Sequence, residues 1–170
     1  MNEKGECMKI IAMSDSHGST YNMRAVMKLH SDADLFIHLG DGCEDFVTLC
    51  NERNFPYAVV KGNCDVFSKL PLEERLELCG KVIFMTHGHI HYVKSTTERL
   101  LKSGAEQGAD IILFGHTHEP LCEYIDDPTL EKPVYLINPG SIAQPREGNP
   151  TYALILIENG GILPNVAALY

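Results

Sequence analysis

The segment of this sequence with the clearest chemical potential is IILFGHTHEP, residues 111–120, in which an apolar run passes directly into two histidines. An apolar run with β-branched residues that stops at glycine predicts a buried strand ending at Phe114. His116 and His118 follow at positions i and i+2, and in extended backbone this spacing sends both side chains to one side. Two nitrogen ligands for one metal ion are thereby predicted. Two ordinary loop histidines are the alternative, so the rest of the chain must supply further ligands.

Such side chains do follow the other predicted strands. Five predicted strands each end in residues that can bind a metal, and together they supply Asp15, His17, Asp41, Asn63, His87, His116 and His118. In open α/β sheets the carboxyl ends of parallel strands lie at one edge, where ligands bind. Four imidazoles, two carboxylates and one amide oxygen are too many for one ordinary site. They suit two divalent ions about 3.5 to 4 Å apart that share a carboxylate.

Asp41 is the expected bridging carboxylate, because it stands centrally in the predicted sheet and has no second ligand in its own motif. Nitrogen and oxygen ligands without thiolate suit transition metals better than a cysteine-rich structural zinc site would. We expect two divalent transition-metal ions per chain, manganese first, with nickel, cobalt, iron or zinc as the alternatives.

The predicted elements must bring these residues together. Apolar runs at 8–15, 34–39 and 57–60 alternate with predicted helices at 20–30 and 44–53, a pattern typical of a parallel sheet flanked by helices. Ser95 and Glu98 form a capping-box pattern that predicts a helix reaching Gln107. The second half of the chain instead predicts antiparallel strands. It contains a hairpin at Gly80 and β-like runs at 122–125, 134–137, 152–157 and 162–169. We therefore predict an α/β sandwich of two mixed β-sheets with outer helices.

Size and composition limit the classes of function. The chain has 170 residues, enough for one domain with a substantial core, and its net charge is −9. An acidic surface disfavours tight non-specific binding to nucleic acid or to an anionic membrane. The sequence has no long apolar segment and no apolar start, so we expect a cytoplasmic protein. Its six cysteines show no CxxC spacing and are expected to be free thiols, several of them in the core.

The motifs also resemble a known family. Asp15-x-His17, Gly40-Asp41, Gly62-Asn63, His87-Gly88-His89 and Gly115-His116-x-His118 match the calcineurin-like metallophosphoesterase superfamily in order and spacing. The forms GNCD, THGH, GHTH and NPGS (138–141) look most like its small single-domain branch of bacterial and archaeal phosphodiesterases, whose fold the retromer subunit shares. The resemblance covers about 8–157 and implies a four-layer αββα sandwich. We expect one domain at 8–170, preceded by a disordered extension at 1–7.

The resemblance also implies which residue binds which ion. One ion would be held by Asp15, His17, Asp41 and His118, and the other by Asp41, Asn63, His87 and His116. His116 and His118 would therefore serve different ions.

One position departs from the pattern of many relatives. They carry a histidine directly after the Gly-Asn pair, where it donates a proton to the leaving group, whereas this chain has Cys64. A thiol with a pKa near 8.5 is a poorer proton donor at neutral pH than an imidazole with a pKa near 6.5. We therefore expect a preference for diesters with good leaving groups, and Cys64 to be a bystander rather than a nucleophile.

Four further histidines and Arg146 have expected positions relative to the site. We expect His89 and Arg146 to contact substrate, together with Asn63, and His38 to be a hydrogen-bonded core residue. His30 and His91 are expected at the surface.

These patterns favour a dinuclear metal-dependent phosphodiesterase that hydrolyses small phosphodiesters by attack of a metal-bridging water or hydroxide. Asp41, Asn63 and His116 are the expected catalytic residues. The alternatives are a metal-binding scaffold for protein interaction with the same fold, and a phosphomonoesterase. Homo-oligomerisation through the apolar C-terminal segment at 164–170 stays open.

Overall fold

The computed structural model describes residues 7–170, which form ten strands and three α-helices. The strands are, in chain order, Cys7–Met13 (β1), Leu35–His38 (β2), Tyr57–Val59 (β3), Glu73–Leu78 (β4), Lys81–Thr86 (β5), Ile111–Leu113 (β6), Pro120–Ile125 (β7), Val134–Pro139 (β8), Thr151–Glu158 (β9) and Gly161–Ala168 (β10). The helices are Tyr21–Leu29 (α1), Cys43–Arg53 (α2) and Glu98–Glu106 (α3), with a short 3₁₀ helix at His89–His91. The extension expected at residues 1–7 lies outside the described residues, except for the backbone of Cys7, where β1 begins.

The strands form two five-stranded sheets, each of them mixed. The first has the order β10-β9-β1-β2-β3, in which β1, β2 and β3 are parallel and β9 runs antiparallel to both of its neighbours. The second has the order β4-β5-β6-β8-β7, with β5, β6 and β8 parallel and an antiparallel strand at each edge. The prediction of two mixed sheets is confirmed.

The layers follow from the alternation of side chains along the strands. In β1, Ile10 and Ala12 face the second sheet, where they share a fully buried core with Ile83 and Met85 of β5. Ile11 of the same strand points the other way and packs under α1 and α2. On the far side, Leu100 of α3 packs against Phe84 and Ile112 of the second sheet. The order helix, sheet, sheet, helix is the four-layer αββα sandwich that the family resemblance implied.

Helix α3 begins later than the capping-box pattern predicted. Thr97 is its N-cap and Glu98 its first residue, and the N–H of Glu98 is bonded to Thr96 Oγ1 at 3.3 Å. Ser95 belongs instead to a tight turn, because its N–H and that of Thr96 both donate to the carbonyl of Tyr92. The prediction of a Ser95 cap was wrong, because Ser95 and Thr96 belong to a turn that precedes the helix.

Two expectations about residues outside the site can be checked directly. His91 is buried rather than exposed, and its Nε2 atom lies 2.5 Å from Glu73 Oε1 of β4, so the surface prediction was wrong. The five described cysteines are free thiols, and two of them, Cys43 and Cys50, are buried on α2 as expected. Within residues 7–170, no helix is both long and apolar enough to cross a bilayer.

Candidate metal centre

The loops that follow the parallel strands of both sheets meet at one edge of the sandwich. Asp15 and His17 follow β1, Asp41 follows β2, and Asn63 follows β3. His87 follows β5 in the second sheet, and His116 and His118 follow β6. All seven candidate ligands of the sequence analysis therefore come together at this edge.

A first group of potential ligands joins the two sheets. Asp15, His17 and His118 each offer an atom within 4.8 Å of the others. The Nε2 atoms of His17 and His118 lie 3.2 Å apart, and Asp15 Oδ1 lies 3.2 Å from His118 Nε2. Two atoms that both bind one ion at about 2.1 Å stand roughly 3 Å apart, so these spacings suit a shared ion.

A second group lies beside the first. Asp41, His87 and His116 likewise offer atoms within 4.8 Å of one another. His87 Nε2 is 3.4 Å from Asp41 Oδ2, 3.2 Å from His116 Nδ1 and 3.2 Å from the side-chain oxygen of Asn63. One imidazole nitrogen thus faces a carboxylate, an imidazole and an amide oxygen.

Asp41 connects the two groups. Its Oδ2 atom is 3.4 Å from His87 Nε2 in one group and 4.0 Å from His17 Nε2 in the other. A third set of potential ligand atoms within 4.8 Å consists of Asp41, His17 and Cys64. This central position is the one that the sequence analysis expected of a bridging carboxylate.

The side chains fit bound cations by an independent criterion. Asp15 Oδ1 is buried and has no hydrogen-bond partner within residues 7–170, although an unpaired buried carboxylate oxygen is costly. Three imidazole nitrogens lie within 3.9 Å of it, from His118, His17 and His87. A divalent cation between these atoms would satisfy the orphaned oxygen, so the residues present fit the metals that the motifs implied.

Backbone carbonyls orient two of the imidazoles. Nδ1 of His87 donates to the carbonyl of Leu39 at 2.7 Å, and Nδ1 of His118 donates to the carbonyl of Gln144 at 2.7 Å. A carbonyl accepts only, so each Nδ1 carries the proton, and in the neutral ring Nε2 keeps its lone pair toward the centre. Such partners fix the tautomer of metal-binding histidines.

The local electrostatics hold two carboxylates ionised among imidazoles. Burial opposes the charge on Asp15 and Asp41, but the neighbouring histidines and hydrogen-bond donors outweigh it, and the pKa of each falls below its ordinary value. Burial also opposes protonation of His87, yet Asp41 and Asp15 raise its pKa. The nearby carboxylate of Asp15 raises the pKa of His118, although burial opposes this. Burial, together with the charges of His87 and Lys94, lowers the pKa of His116 to about 4.

The backbone of the centre adopts a left-handed conformation at most of the candidate ligands. Nine described residues other than glycine have a positive φ angle, and five of them are candidate ligands: Asp15, His17, Asp41, His116 and His118. Such angles are uncommon for side-chain-bearing residues and cluster at functional sites. They also correct one expectation, since a left-handed backbone at His116 and His118 does not send both side chains to one side. The two histidines join different groups.

His89 and Arg146, which are expected to contact substrate, lie at different distances from the candidate ligands. His89 is half-buried beside the second group, with its ring centroid 5.4 Å from that of His87, and its buried Nδ1 has no hydrogen-bond partner in the described part of the chain. Arg146 lies at the rim, where its backbone N–H donates to the carbonyl of His118. Its exposed guanidinium instead pairs with Glu119 at 3.4 Å.

His38 is confirmed as a core residue that holds two ligand loops together. Its Nδ1 accepts from the N–H of Gly40, so Nε2 carries the proton and donates to Ser16 Oγ at 3.2 Å. Its ring is fully buried, and burial lowers its pKa to about 4. The Asp15 and Asp41 loops are therefore joined by a neutral imidazole.

Several side chains outside the seven candidates support the centre, among them Asn138 and Ser141 of the turn that the sequence placed beside the cleft. Ser14 donates to Asp15 Oδ2 at 2.5 Å, and the hydroxyl of Ser141 donates to the carbonyl of Asp15 at 2.8 Å. Asn138 donates to the carbonyl of Gly115, and Asp65 accepts from the N–H of Asp41. The signal for Asp65, Asn138 and Ser141 was their membership in the GNCD and NPGS motifs, which pointed to these loops but not to these contacts.

Comparison with known proteins identifies the family. Residues 8–160 match the calcineurin-like phosphoesterase superfamily domain. The chain belongs to the calcineurin-like phosphoesterase superfamily. It is 37% identical over 154 residues to the probable metallophosphoesterase YsnB of Bacillus subtilis, a match that covers 89% of this chain and 86% of that protein. A phosphodiesterase of Methanocaldococcus jannaschii is 32% identical over 166 residues, covering 87% of this chain and 92% of the relative.

Solved structures agree with this assignment. A Streptococcus pneumoniae protein described as a predicted phosphoesterase superposes with a TM-score of 0.81 at 29% identity, covering 96% of this phosphoesterase and 90% of that chain. Vacuolar protein sorting 29 of Cryptosporidium parvum has a TM-score of 0.71 at 14% identity, with 96% and 98% of the two chains covered, which shows a shared fold alone. As a family member, this chain is a hydrolytic phosphoesterase.

Proposed function

We propose that this phosphoesterase hydrolyses small phosphodiesters with the help of two divalent transition-metal ions, manganese being the first candidate. Asp15, His17, Asp41 and His118 would hold one ion, and Asp41, Asn63, His87 and His116 the other. The observation that carries the proposal is the position of Asp41 Oδ2, 3.4 Å from His87 Nε2 in one group of potential ligands and 4.0 Å from His17 Nε2 in the other. A carboxylate shared in this way is typical of centres that cleave phosphate esters.

When bound, such ions activate water as a nucleophile near neutral pH and neutralise charge that develops on the phosphoryl oxygens. The chain's own residues hold the arrangement in place beforehand. Asp41 keeps Oδ1 on the N–H of Cys64 at 2.7 Å, which directs Oδ2 toward the histidines. The exposed amide of Asn63 lies next to His87 and is placed to donate to a phosphoryl oxygen.

Substrate contacts follow from two further side chains. The half-buried ring of His89 lies beside His87 and His116, where it would contact a substrate oxygen. Arg146 is paired with Glu119 at 3.4 Å in an exposed position, where an ion pair contributes little free energy. A phosphate at the rim could therefore exchange with Glu119 as the partner of Arg146.

The preference for diesters rests on Cys64 and on the relatives. Burial, followed by the hydrogen bond and charge of Asp41, raises the pKa of the Cys64 thiol to about 11, so it is a weak acid at neutral pH. A diester with a good leaving group needs little proton donation. The relative from Methanocaldococcus jannaschii is named a phosphodiesterase, which supports the same class of substrate here.

The net charge of −9 supports a small anionic substrate over a long polyanion and disfavours binding to an anionic membrane. Strand β10, which contains much of the apolar C-terminal segment, lies at an edge of the first sheet, and homo-oligomerisation through this segment stays a prediction. A cytoplasmic location also stays a prediction.

Alanine at His116 or at Asp41 tests the proposal. Each variant should lose hydrolysis of an aryl phosphodiester with Mn²⁺ while circular dichroism still reports a folded protein. His30→Ala is the matched control, because His30 bonds the hydroxyl of Tyr152 at 2.9 Å and supplies none of the candidate ligand atoms. Undiminished turnover by purified His116→Ala and Asp41→Ala would refute the two-metal assignment.

An interaction scaffold of the same fold is the alternative. A scaffold is free to lose metal-binding side chains, whereas all seven candidates are present here and converge. Elemental analysis of metal-loaded protein distinguishes the two, since a chain that never binds two ions would favour the scaffold. An assay panel of monoesters and diesters separates the phosphomonoesterase alternative.

A further inference from the structure

Asp65, the acidic residue of the GNCD motif, binds an unusual number of backbone groups. Its Oδ2 atom accepts from the N–H of Asp41 at 2.7 Å and from the N–H of Gly62 at 2.8 Å. Its Oδ1 atom accepts from the N–H of Gly42 at 2.9 Å and from the N–H of Cys43 at 3.3 Å. One carboxylate thus joins four backbone amides from two separate loops.

Three of those amides lie at the beginning of α2, where a carboxylate is favoured. The first N–H groups of a helix have no acceptor within it, and its N-terminus carries partial positive charge. The N-cap residue is Gly42, which has no side chain to act as acceptor. Asp65 therefore takes the role of the missing cap from a position 22 residues after Cys43 in the sequence.

The two loops also bind in the opposite direction. While Asp65 accepts from the N–H of Asp41, the side chain of Asp41 accepts from the N–H of Cys64 at 2.7 Å through Oδ1. This leaves Oδ2 of Asp41 facing His87. The reciprocal bonds thus determine which carboxylate oxygen points into the candidate metal centre.

The backbones of the two loops are in direct contact. A Cβ atom added to Gly40 would lie 2.7 Å from Gly62 Cα, and one added to Gly62 would lie 2.5 Å from the backbone nitrogen of Asp41. Real Cβ atoms do not approach so closely, so no side chain fits between the loops. The strands before the loops, β2 and β3, are paired through their backbones, and the hydrogen bonds of Asp65 and Asp41 continue this connection across the loops.

We propose that Asp65 is a positioning residue of the metal centre: its carboxylate fixes the Asp41 and Asn63 loops against each other and so sets the affinity for the ion that both residues bind. The inference rests on the proposed function, because it requires that centre. Asp65 contributes none of the candidate ligand atoms and acts through the backbone of Asp41, Gly42, Cys43 and Gly62.

Asp65→Asn tests the proposal with little change in size. One oxygen becomes an NH₂ group, which cannot accept, so two of the four backbone N–H groups face a donor instead. Calorimetric titration of Mn²⁺ into the metal-free full chain should show binding weakened about 10- to 100-fold, the usual effect of losing a partner that orients a ligand. Asp65→Glu, which restores the carboxylate, should recover part of the affinity.

Leu49→Ala is the control for a merely structural role. Leu49 is buried on the same helix, and its apolar side chain makes no hydrogen bond to either loop. It should lower the melting temperature while leaving Mn²⁺ affinity near wild type. Wild-type affinity in folded Asp65→Asn, equal weakening in Leu49→Ala at the same loss of melting temperature, or a wild-type chain that binds no Mn²⁺ would each overturn the proposal. A wild-type chain that binds Mn²⁺ but cleaves no diester would refute the proposed function and leave this inference standing.

Discussion

His17 and His118 are 101 residues apart in the sequence, yet their Nε2 atoms lie 3.2 Å from each other. His116, only two residues from His118, instead faces His87 at 3.2 Å. The GHTH loop therefore sends its two imidazoles to different groups, because both histidines adopt a left-handed backbone.

Removing one histidine of the loop should affect one ion more than the other. In His118→Ala the first group loses an imidazole, whereas Asp41, Asn63, His87 and His116 are untouched. We expect bound Mn²⁺, measured by elemental analysis after desalting, to fall from two ions toward one per chain. His116→Ala should also remove one ion, this time from the second group. Retention of two tightly bound ions by either variant would contradict the division.

Cys64→His should broaden the range of leaving groups. An imidazole with a pKa near 6.5 can donate a proton that the Cys64 thiol, with its pKa raised to about 11, retains. General acid catalysis contributes about 10²- to 10⁴-fold where it operates, so alkyl diesters should gain far more than aryl diesters. The measurement is the ratio of kcat/KM for the two substrates. Cys122→His, at an exposed position on β7, should leave that ratio unchanged, and the idea fails if both variants behave alike.

Gly40→Ala should destabilise the protein more than Gly80→Ala. Both glycines have positive φ, at 99° and 72°, so alanine is strained at each position. Gly80 faces open space, whereas a Cβ at Gly40 would meet the backbone of Gly62 and lie 2.9 Å from His87 Nδ1. We expect a loss of roughly 1 to 2 kcal/mol for Gly80→Ala from backbone strain alone. Gly40→Ala should lose several times as much, measured by chemical unfolding, and also bind Mn²⁺ poorly. Equal losses would show that the loop contact has room to relax.

Metal binding should weaken as the pH falls, starting above pH 6.5. Ions need neutral imidazoles, and the pKa values of His87 and His118 are raised above their ordinary value in the metal-free protein. At a pH below the pKa of histidine in the unfolded chain, the raised pKa values of these two histidines stabilise the metal-free fold. This stabilisation is lost as the pH rises through their pKa values in the folded protein. The increase in melting temperature on adding Mn²⁺ should therefore grow between about pH 6 and about pH 8. A pH-independent increase would indicate that neither histidine binds the ion.

The sequence by itself determined the residue types of the candidate centre and their placement at strand ends. Asp15, Asp41 and His87 each follow an apolar run, and such runs predict buried strands because side-chain periodicity is a local property. The change from alternating helices and strands to β-rich sequence also predicted two mixed sheets. The order and spacing of the five motifs added the resemblance to the family.

Tertiary structure decided which atoms of those residues meet. The 3.2 Å contact between His17 and His118, the four backbone bonds of Asp65 and the burial of His91 against Glu73 all join segments far apart in the chain. Local patterns carry no information about which loops touch. His116 has a left-handed backbone, and its N–H donates to Asp15 Oδ2 at 3.0 Å, across 101 residues of sequence. The ligands could be listed from the sequence, and the family resemblance implied a division between two ions. The contacts that bring each group together form between loops that meet only in the folded protein.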